Sequence, residues 1–371
     1  YYAYLIADRY LEKYLASEDQ NQQQAQTQET ADNKSTEYLQ QALDYYEQSY
    51  RYSEQGKLHY INALLTLNET EENEEKKLAQ QTLAVDLMMA LNSLIVNAEY
   101  RHSEPYLASE RNLTEAEKAT ALNIIFNQIE ENETLQTWVG EKLIHDNPAV
   151  IETLESFASQ NPPKAFAQYY LGMNLLKTGD KNAGYLLIEK AGNGGYLPAI
   201  YTLAENYLKE DSDIQSVLGG SPQNALIWYE KGVALKDDES IYQLAEIYFD
   251  RKIALGLKPG ESDKKALYYY DQLSDPDYRF ANFHRPDAIE RVEEYRAIEV
   301  GAAAKEPDAI YQQASIYLNG RYGATIDEAK GEALLQEAAD LGSIRAMKQF
   351  FDRDKDNPML EGAALDRFNR Y

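Results

Sequence analysis

Four stretches decide the fold: Gln168-Tyr-Tyr-Leu-Gly-Met-Asn-Leu175, Ile200-Tyr-Thr-Leu-Ala-Glu-Asn-Tyr207, Ile241-Tyr-Gln-Leu-Ala-Glu-Ile-Tyr248 and Ile310-Tyr-Gln-Gln-Ala-Ser-Ile-Tyr317. They align without gaps. In each, an aromatic residue (Tyr169, Tyr201, Tyr242, Tyr311) is followed three positions on by Gly172, Ala204, Ala245 or Ala314. Three further on stands Leu175, Tyr207, Tyr248 or Tyr317. Residues three apart share a helix face. The spacing therefore predicts helices with a large–small–large stripe, in which the small residue admits a neighbouring helix and the large ones interlock around it.

A second helix is expected after each: Ala183 to Ala191, Ala225 to Gly232, Ala266 to Leu273 and Ala333 to Ala339. Ser221–Pro222, and Thr325 with Glu328, read as caps at two of these starts. Turns such as Gly192-Asn-Gly-Gly195 and Leu341-Gly342-Ser343 join one pair to the next. The unit is helix–turn–helix, and the aligned tyrosines are unequally spaced, which implies insertions between units. The longest interval runs from Tyr242 to Tyr311. It contains an insertion at about 275–287 and a second helix expected from Asp287 to Ala304.

The first half of the chain reads as further helices without that signature. Residues 1–18 carry an apolar stripe at the helical period through Tyr4, Ala7, Leu11, Tyr14 and Leu15. Residues 19–34 are almost all polar and predict a disordered linker. Helical hairpins follow over 35–160. One helix is expected to end at Gly56, a long one to carry Leu83, Leu87, Leu91, Leu94 and Ile95, and Thr114 with Glu117 to form a capping box. Asn147–Pro148 starts another helix, and Asn161-Pro162-Pro163 predicts a boundary. The repeats span 161–347, and 348–371 form a C-terminal cap or tail. No strand alternation is present.

The repeat resembles the Sel-one-like family of tetratricopeptide-like α-solenoids over roughly residues 164–347. Ala167, Leu171 and Gly172, and Leu203-Ala204 with Tyr207, match its first helix. Ala225, Trp228 and Lys231 match its second. Ala338-Ala339-Asp340-Leu341-Gly342 with Ala346 matches its closing turn, while Gln313 stands where the family has Leu. The resemblance implies an all-α, right-handed superhelical solenoid and a non-catalytic scaffold or adaptor. Such adaptors hold together bacterial envelope or secretion complexes, exopolysaccharide-secretion lipoproteins among them. That setting implies a periplasmic or outer-membrane-associated protein, with a cytoplasmic one as the alternative. The family carries no catalytic residue across.

Composition narrows the chemistry. The 371 residues include 62 acidic against 36 basic, a net charge of −26, no cysteine and 31 tyrosines. Without cysteine there is no disulfide, thiolate nucleophile or cysteine-ligated metal. The charge opposes nucleic-acid binding, which needs clustered Lys and Arg, and predicts a neutral or basic protein partner. No apolar run reaches transmembrane length. The sequence opens on Tyr1, so a signal peptide or lipid-anchor cysteine would lie upstream of it. His59, His102, His145 and His284 are scattered without ligand spacing, and Gly192-x-Gly194-Gly195 lacks the Lys-Ser/Thr ending of a phosphate loop. No cofactor, metal site or catalytic set is expected.

Two places are candidates for binding. Polar positions beside the packing stripe, Asn174, Glu205, Asn206, Gln243, Glu246, Gln312 and Ser315, would line a mildly acidic groove. The segment Tyr278-Arg279-Phe280-Ala-Asn-Phe283-His284-Arg285 is basic and aromatic in an acidic chain. Either its Arg, His and aromatic residues form a partner-binding loop, or Phe280 and Phe283 staple the loop to the core. Other functions the sequence admits are a polysaccharide-binding module, since tyrosine faces stack on sugars, and an acidic inhibitor of a basic enzyme.

Overall fold

The computed structural model describes residues 3–23, 28–51, 53–71, 73–91, 113–145, 147–250, 256–354 and 362, and among them helices are the only regular structure. The chain divides into two compact units, Tyr1–Gly179 and Asp180–Tyr371. The division falls past the expected Asn161-Pro162-Pro163 boundary, because the helix after that segment packs back on the helix before it.

In the first unit, α1 (Ala3–Gln23) lies along α2 (Gln28–Tyr50), and α3 (Glu54–Thr70) closes on both and on α4 (Glu74–Met89). Helical backbone thus runs into both ends of the 19–34 stretch read as a linker. Gly56 is no terminator. It lies in the first turn of α3, where its N–H donates to the capping Ser53 hydroxyl. A Cβ there would stand 2.8 Å from the Ser49 carbonyl, so glycine lets α3 approach α2. Asp8 ties three helices together. It accepts the Tyr46 hydroxyl at 2.6 Å and lies 2.8 Å from His59 Nδ1. Leu94 and Ile95 of the expected long helix lie outside the described residues.

α5 (Glu115–Gln128) opens with the expected capping box, Thr114 with Glu117. α6 (Glu133–Trp138) continues into a wider turn over Val139–Leu143, where Tyr170 lies against Gly140. α7 (Pro148–Ala158) is capped by Asn147 with Pro148 at its first position, and α8 (Ala165–Thr178) packs on it.

The second unit is a chain of neighbours: α9 (Lys181–Asn193), α10 (Leu197–Leu208), the short α11 (Ile214–Leu218), α12 (Asn224–Ala234), α13 (Asp238–Asp250), α14 (Glu261–Tyr270), α15 (Ala281–Ala303), α16 (Pro307–Asn319), α17 (Glu328–Asp340) and α18 (Ile344–Asp354). The hairpins are α10 with α12, α13 with α14 and α16 with α17, and each packs on the next element along the chain. Packing against sequence neighbours defines an all-α solenoid. Two expected caps move. α12 begins at Asn224, whose side-chain oxygen accepts the Ser221 N–H, and α17 is capped by Asp327 through the Lys330 N–H at 2.9 Å. α18 starts at Ile344, inside the closing turn, so the C-terminal cap begins before residue 348.

The aligned stripes lie where the spacing puts them, in α8, α10, α13 and α16. Ala204, Ala245 and Ala314 are fully buried. Tyr207, Tyr242 and Tyr248 are buried, while Tyr201, Tyr311 and Tyr317 keep part of their surface.

Four turns between hairpins share one geometry. The N–H groups of Tyr196, Asp237, Glu306 and Ser343 donate to the carbonyls of Ala191, Gly232, Gly301 and Ala338 at 3.1, 3.1, 2.9 and 2.9 Å. The residues just before them, Gly195, Lys236, Lys305 and Gly342, have φ of 84°, 61°, 62° and 102°. This bond across a left-handed residue is the Schellman stop of a helix. The donor residue then starts the next helix. Asp237 accepts the Ser240 N–H at 2.7 Å, and Tyr196 and Glu306 occupy the cap positions of α10 and α16. Three residues separate one helix from the next, which leaves little freedom in the angle between them.

Candidate partner-binding face

α13 buries Ile241, Leu244, Ala245, Ile247 and Tyr248, so its opposite polar positions are set by helical spacing. Glu239, Gln243 and Glu246 fall at i, i+4 and i+7, one above another on one face. Gln243 Nε2 donates to Glu239 Oε1 at 2.8 Å. The result is a carboxylate at each end of the face with an amide between.

The basic–aromatic segment lies on this face. Arg279 reaches Glu239 at 2.7 Å, and the Tyr278 hydroxyl donates to the same carboxylate at 2.9 Å. The Arg279 guanidinium also lies 5.5 Å from the Tyr242 ring centre, a cation–π distance. His284 Nδ1 is 2.8 Å from Glu246 Oε1, which accepts the Tyr270 hydroxyl at 2.5 Å. The His284 ring stacks on Phe249, with centroids 4.7 Å apart and planes 12° from parallel. Arg285 turns away to Asp271 at the end of α14, at 2.7 Å. The Arg291 guanidinium lies 4.1 Å from the Phe249 ring centre and reaches the buried Asp263 at 3.5 Å.

The Phe280 ring touches His284 within the segment, with centroids 6.2 Å apart, but neither Phe280 nor Phe283 buries its side chain in the core. They are 62% and 66% exposed, so the staple reading fails: charged and hydrogen-bonding groups hold the segment. The expected helix from Asp287 also starts earlier. α15 begins at Ala281 and carries Pro286 inside it, so most of the segment is the helix's first turn rather than a loop.

Burial first, and then the carboxylates, raise the neighbouring phenols. Burial first, then Glu246, pushes Tyr242 up to about 12 against a hydrogen bond from the Phe280 backbone. Burial and then the bond to Glu246 raise Tyr270 well above the ordinary tyrosine range, and burial and then Glu239 raise Tyr278. Tyr229 is raised by burial first, then by Glu205 and Glu239, while Arg279 lowers it. Glu205 of α10 is solvent-exposed.

The remaining sequence candidates lie elsewhere. Asn174 is half-buried on α8 in the first unit. Asn206 is committed to structure: it accepts the Tyr185 and Ser212 hydroxyls, both at 3.2 Å, and donates to the Thr202 carbonyl at 2.7 Å. Gln312 and Ser315 are half-buried on α16, where Ser315 accepts from Asn319. Glu239, Tyr270, Phe249 and Asp271 are not among the binding residues expected from sequence. Glu239 was within reach of the sequence, four residues before Gln243 and seven before Glu246. Among the described residues no group of three or more His, Asp and Glu could hold a metal ion, and no helix is long and apolar enough to cross a membrane.

No family model matches the chain, and no curated protein does. Among solved structures, the chain is similar to Sel1 repeat proteins. One is a Sel1 repeat protein from Oxalobacter formigenes, at 12% identity over 95% of this chain and 86% of that one, with a TM-score of 0.32. Another is a protective antigen present in uropathogenic Escherichia coli strains and displaying an SLR fold, at 15% identity over 98% and 87%, with a TM-score of 0.32. The fold assignment itself stands on the hairpins, buried stripes and repeated turns of this chain.

Proposed function

We propose that the chain is a non-catalytic protein–protein interaction scaffold of the Sel1-like kind, and that its binding face is the first-helix face centred on α13. The observation that carries this reading is the set of Glu239 and Glu246 contacts. This face already holds a segment bearing an arginine, an imidazole and aromatic rings, which are the groups that dominate binding at protein interfaces. The exposed Glu205 and the net charge of −26 favour a neutral or basic partner. The setting proposed is a bacterial envelope or secretion complex.

Affinity capture from bacterial extract, with the wild-type chain and a Glu205→Gln variant compared at low and raised salt, tests the binding face. Capture that weakens with salt and with the substitution supports it; capture indifferent to both argues against it. Fractionation of cells producing the full-length protein tests the setting, and recovery in the cytosol alone would reject the envelope.

A further inference from the structure

The segment on the α13 face is built like a ligand rather than like a piece of core. Its tyrosine, arginines and histidine are engaged: Tyr278 and Arg279 with Glu239, His284 with Glu246, Arg285 with Asp271. Its two phenylalanines face solvent. A segment retained for packing would bury its phenylalanines first, since they carry most of the hydrophobic gain. Only Ala281, a small plug, is buried within it.

The helix that follows is constructed to survive without this turn. Pro286 is the sixth residue of α15. It has no N–H to give to the Asn282 carbonyl, so the ladder between the first turn and the rest lacks one hydrogen bond. Proline also suits the first position of a helix. α15 can therefore start at Pro286, with Tyr295, Ile298 and Ala302 still buried downstream, while Ala281–Arg285 unwinds. What holds the extra turn in place is its set of contacts with carboxylates of α13 and α14.

We propose that Tyr278–Arg285 is a latch: an intramolecular occupant of the acidic α13 face that a partner segment of the same chemistry displaces. This rests on the reading of α13 as the binding face. The partner it specifies carries an arginine next to an aromatic residue, to pair with Glu239 and lie on Tyr242. About a turn and a half further on it carries an imidazole or a second basic group, to pair with Glu246. Glu205 offers the incoming segment a carboxylate that the latch does not use. A face occupied by the chain itself lowers the apparent affinity of the partner by the fraction of molecules in which it is free.

The test uses a fluorescently labelled, end-blocked peptide of the chain's own Tyr278–Pro286 sequence, titrated by anisotropy against the full chain. The variant Arg279→Ala/His284→Ala, which releases the latch, should bind at least about tenfold more tightly than wild type. Adding Glu239→Gln and Glu246→Gln to it should abolish binding. Pro286→Ala restores the missing helical hydrogen bond, tightens the latch and should bind more weakly than wild type. Equal affinity of the wild-type and released chains overturns the latch, as does peptide binding that survives the two Gln substitutions, or no binding to any variant. Equal affinity that is nevertheless lost with the Gln pair removes the latch and leaves α13 as a partner face. If circular dichroism shows the released variant unfolded, the comparison of Pro286→Ala with wild type decides.

Discussion

His284 Nδ1 stands 2.8 Å from Glu246 Oε1, although the two residues belong to different helices separated by a third. Glu246 is buried, and Tyr270 donates to the same oxygen. A buried carboxylate that loses a partner keeps its desolvation cost. His284→Ala is therefore expected to destabilise the protein by about 1–3 kcal/mol. In a double-mutant cycle with Glu246→Gln, the coupling should be at least about 0.5 kcal/mol. Denaturant melts measure both, and additive losses would show that the contact contributes nothing.

Ser240 sits at the start of α13 where the equivalent turns carry Ala199, Ala309 and Ala346. Its hydroxyl is buried without a hydrogen-bond partner and packs where a Cβ on Gly232 would be, 1.9 Å away. Ser240→Ala removes an unsatisfied polar atom and should stabilise by roughly 1 kcal/mol. Gly232→Ala should destabilise by about 1–3 kcal/mol, with the loss reduced in the Ser240→Ala background.

The four Schellman turns give a matched set. Lys236 and Lys305 occupy the left-handed position that Gly195 and Gly342 occupy in the other two. A side chain there costs roughly 1 kcal/mol. Lys236→Gly and Lys305→Gly should each stabilise by a few tenths to about 1 kcal/mol, because the more flexible unfolded chain offsets part of the gain. Gly195→Ala and Gly342→Ala should destabilise by about 1 kcal/mol. Thermal unfolding of the four variants checks the signs, and a uniform sign across the set would refute the argument.

Stability should fall at both ends of the pH scale. In the second unit, Tyr242 is raised from 10.0 to about 12, so the folded state holds its proton more tightly than the unfolded one. That contribution is complete below about pH 10 and is lost as pH rises through 12, joined by Tyr270 and Tyr278, which shift the same way. In the first unit, burial alone would raise Asp8, but hydrogen bonds from His59 and Tyr46 outweigh it and hold the carboxyl below 3.8. Its contribution is present above that value and is lost as pH falls through the lowered folded value. Tyrosinate absorbance and melts against pH read the two windows. Tyrosines that all titrate near 10 in the folded protein would contradict the first.

Much of the fold was legible because it is local. The large–small–large stripes, the Thr114–Glu117 box and the Asn147–Pro148 start need only residues within a turn or two of one another. The misread points are those where distant residues decide. Gly56 looked like a stop and is a close approach to α2. A helix is expected from Asp287, yet α15 gains a turn before it through carboxylates on α13 and α14.

The candidate site divides the same way. That 278–285 is basic and aromatic in an acidic chain, and that α13 carries Gln243 and Glu246 on one side, are properties of the sequence alone, since composition and a helical period suffice to establish them. That Glu239 and Glu246 meet Arg279 and His284, and that Phe280 and Phe283 are left outside, was decided only by the tertiary structure. Charge pairing has no sequence period. It depends on where α14 returns the chain, and the two phenylalanines face solvent because the polar side of the same short turn is the side that α13 can satisfy.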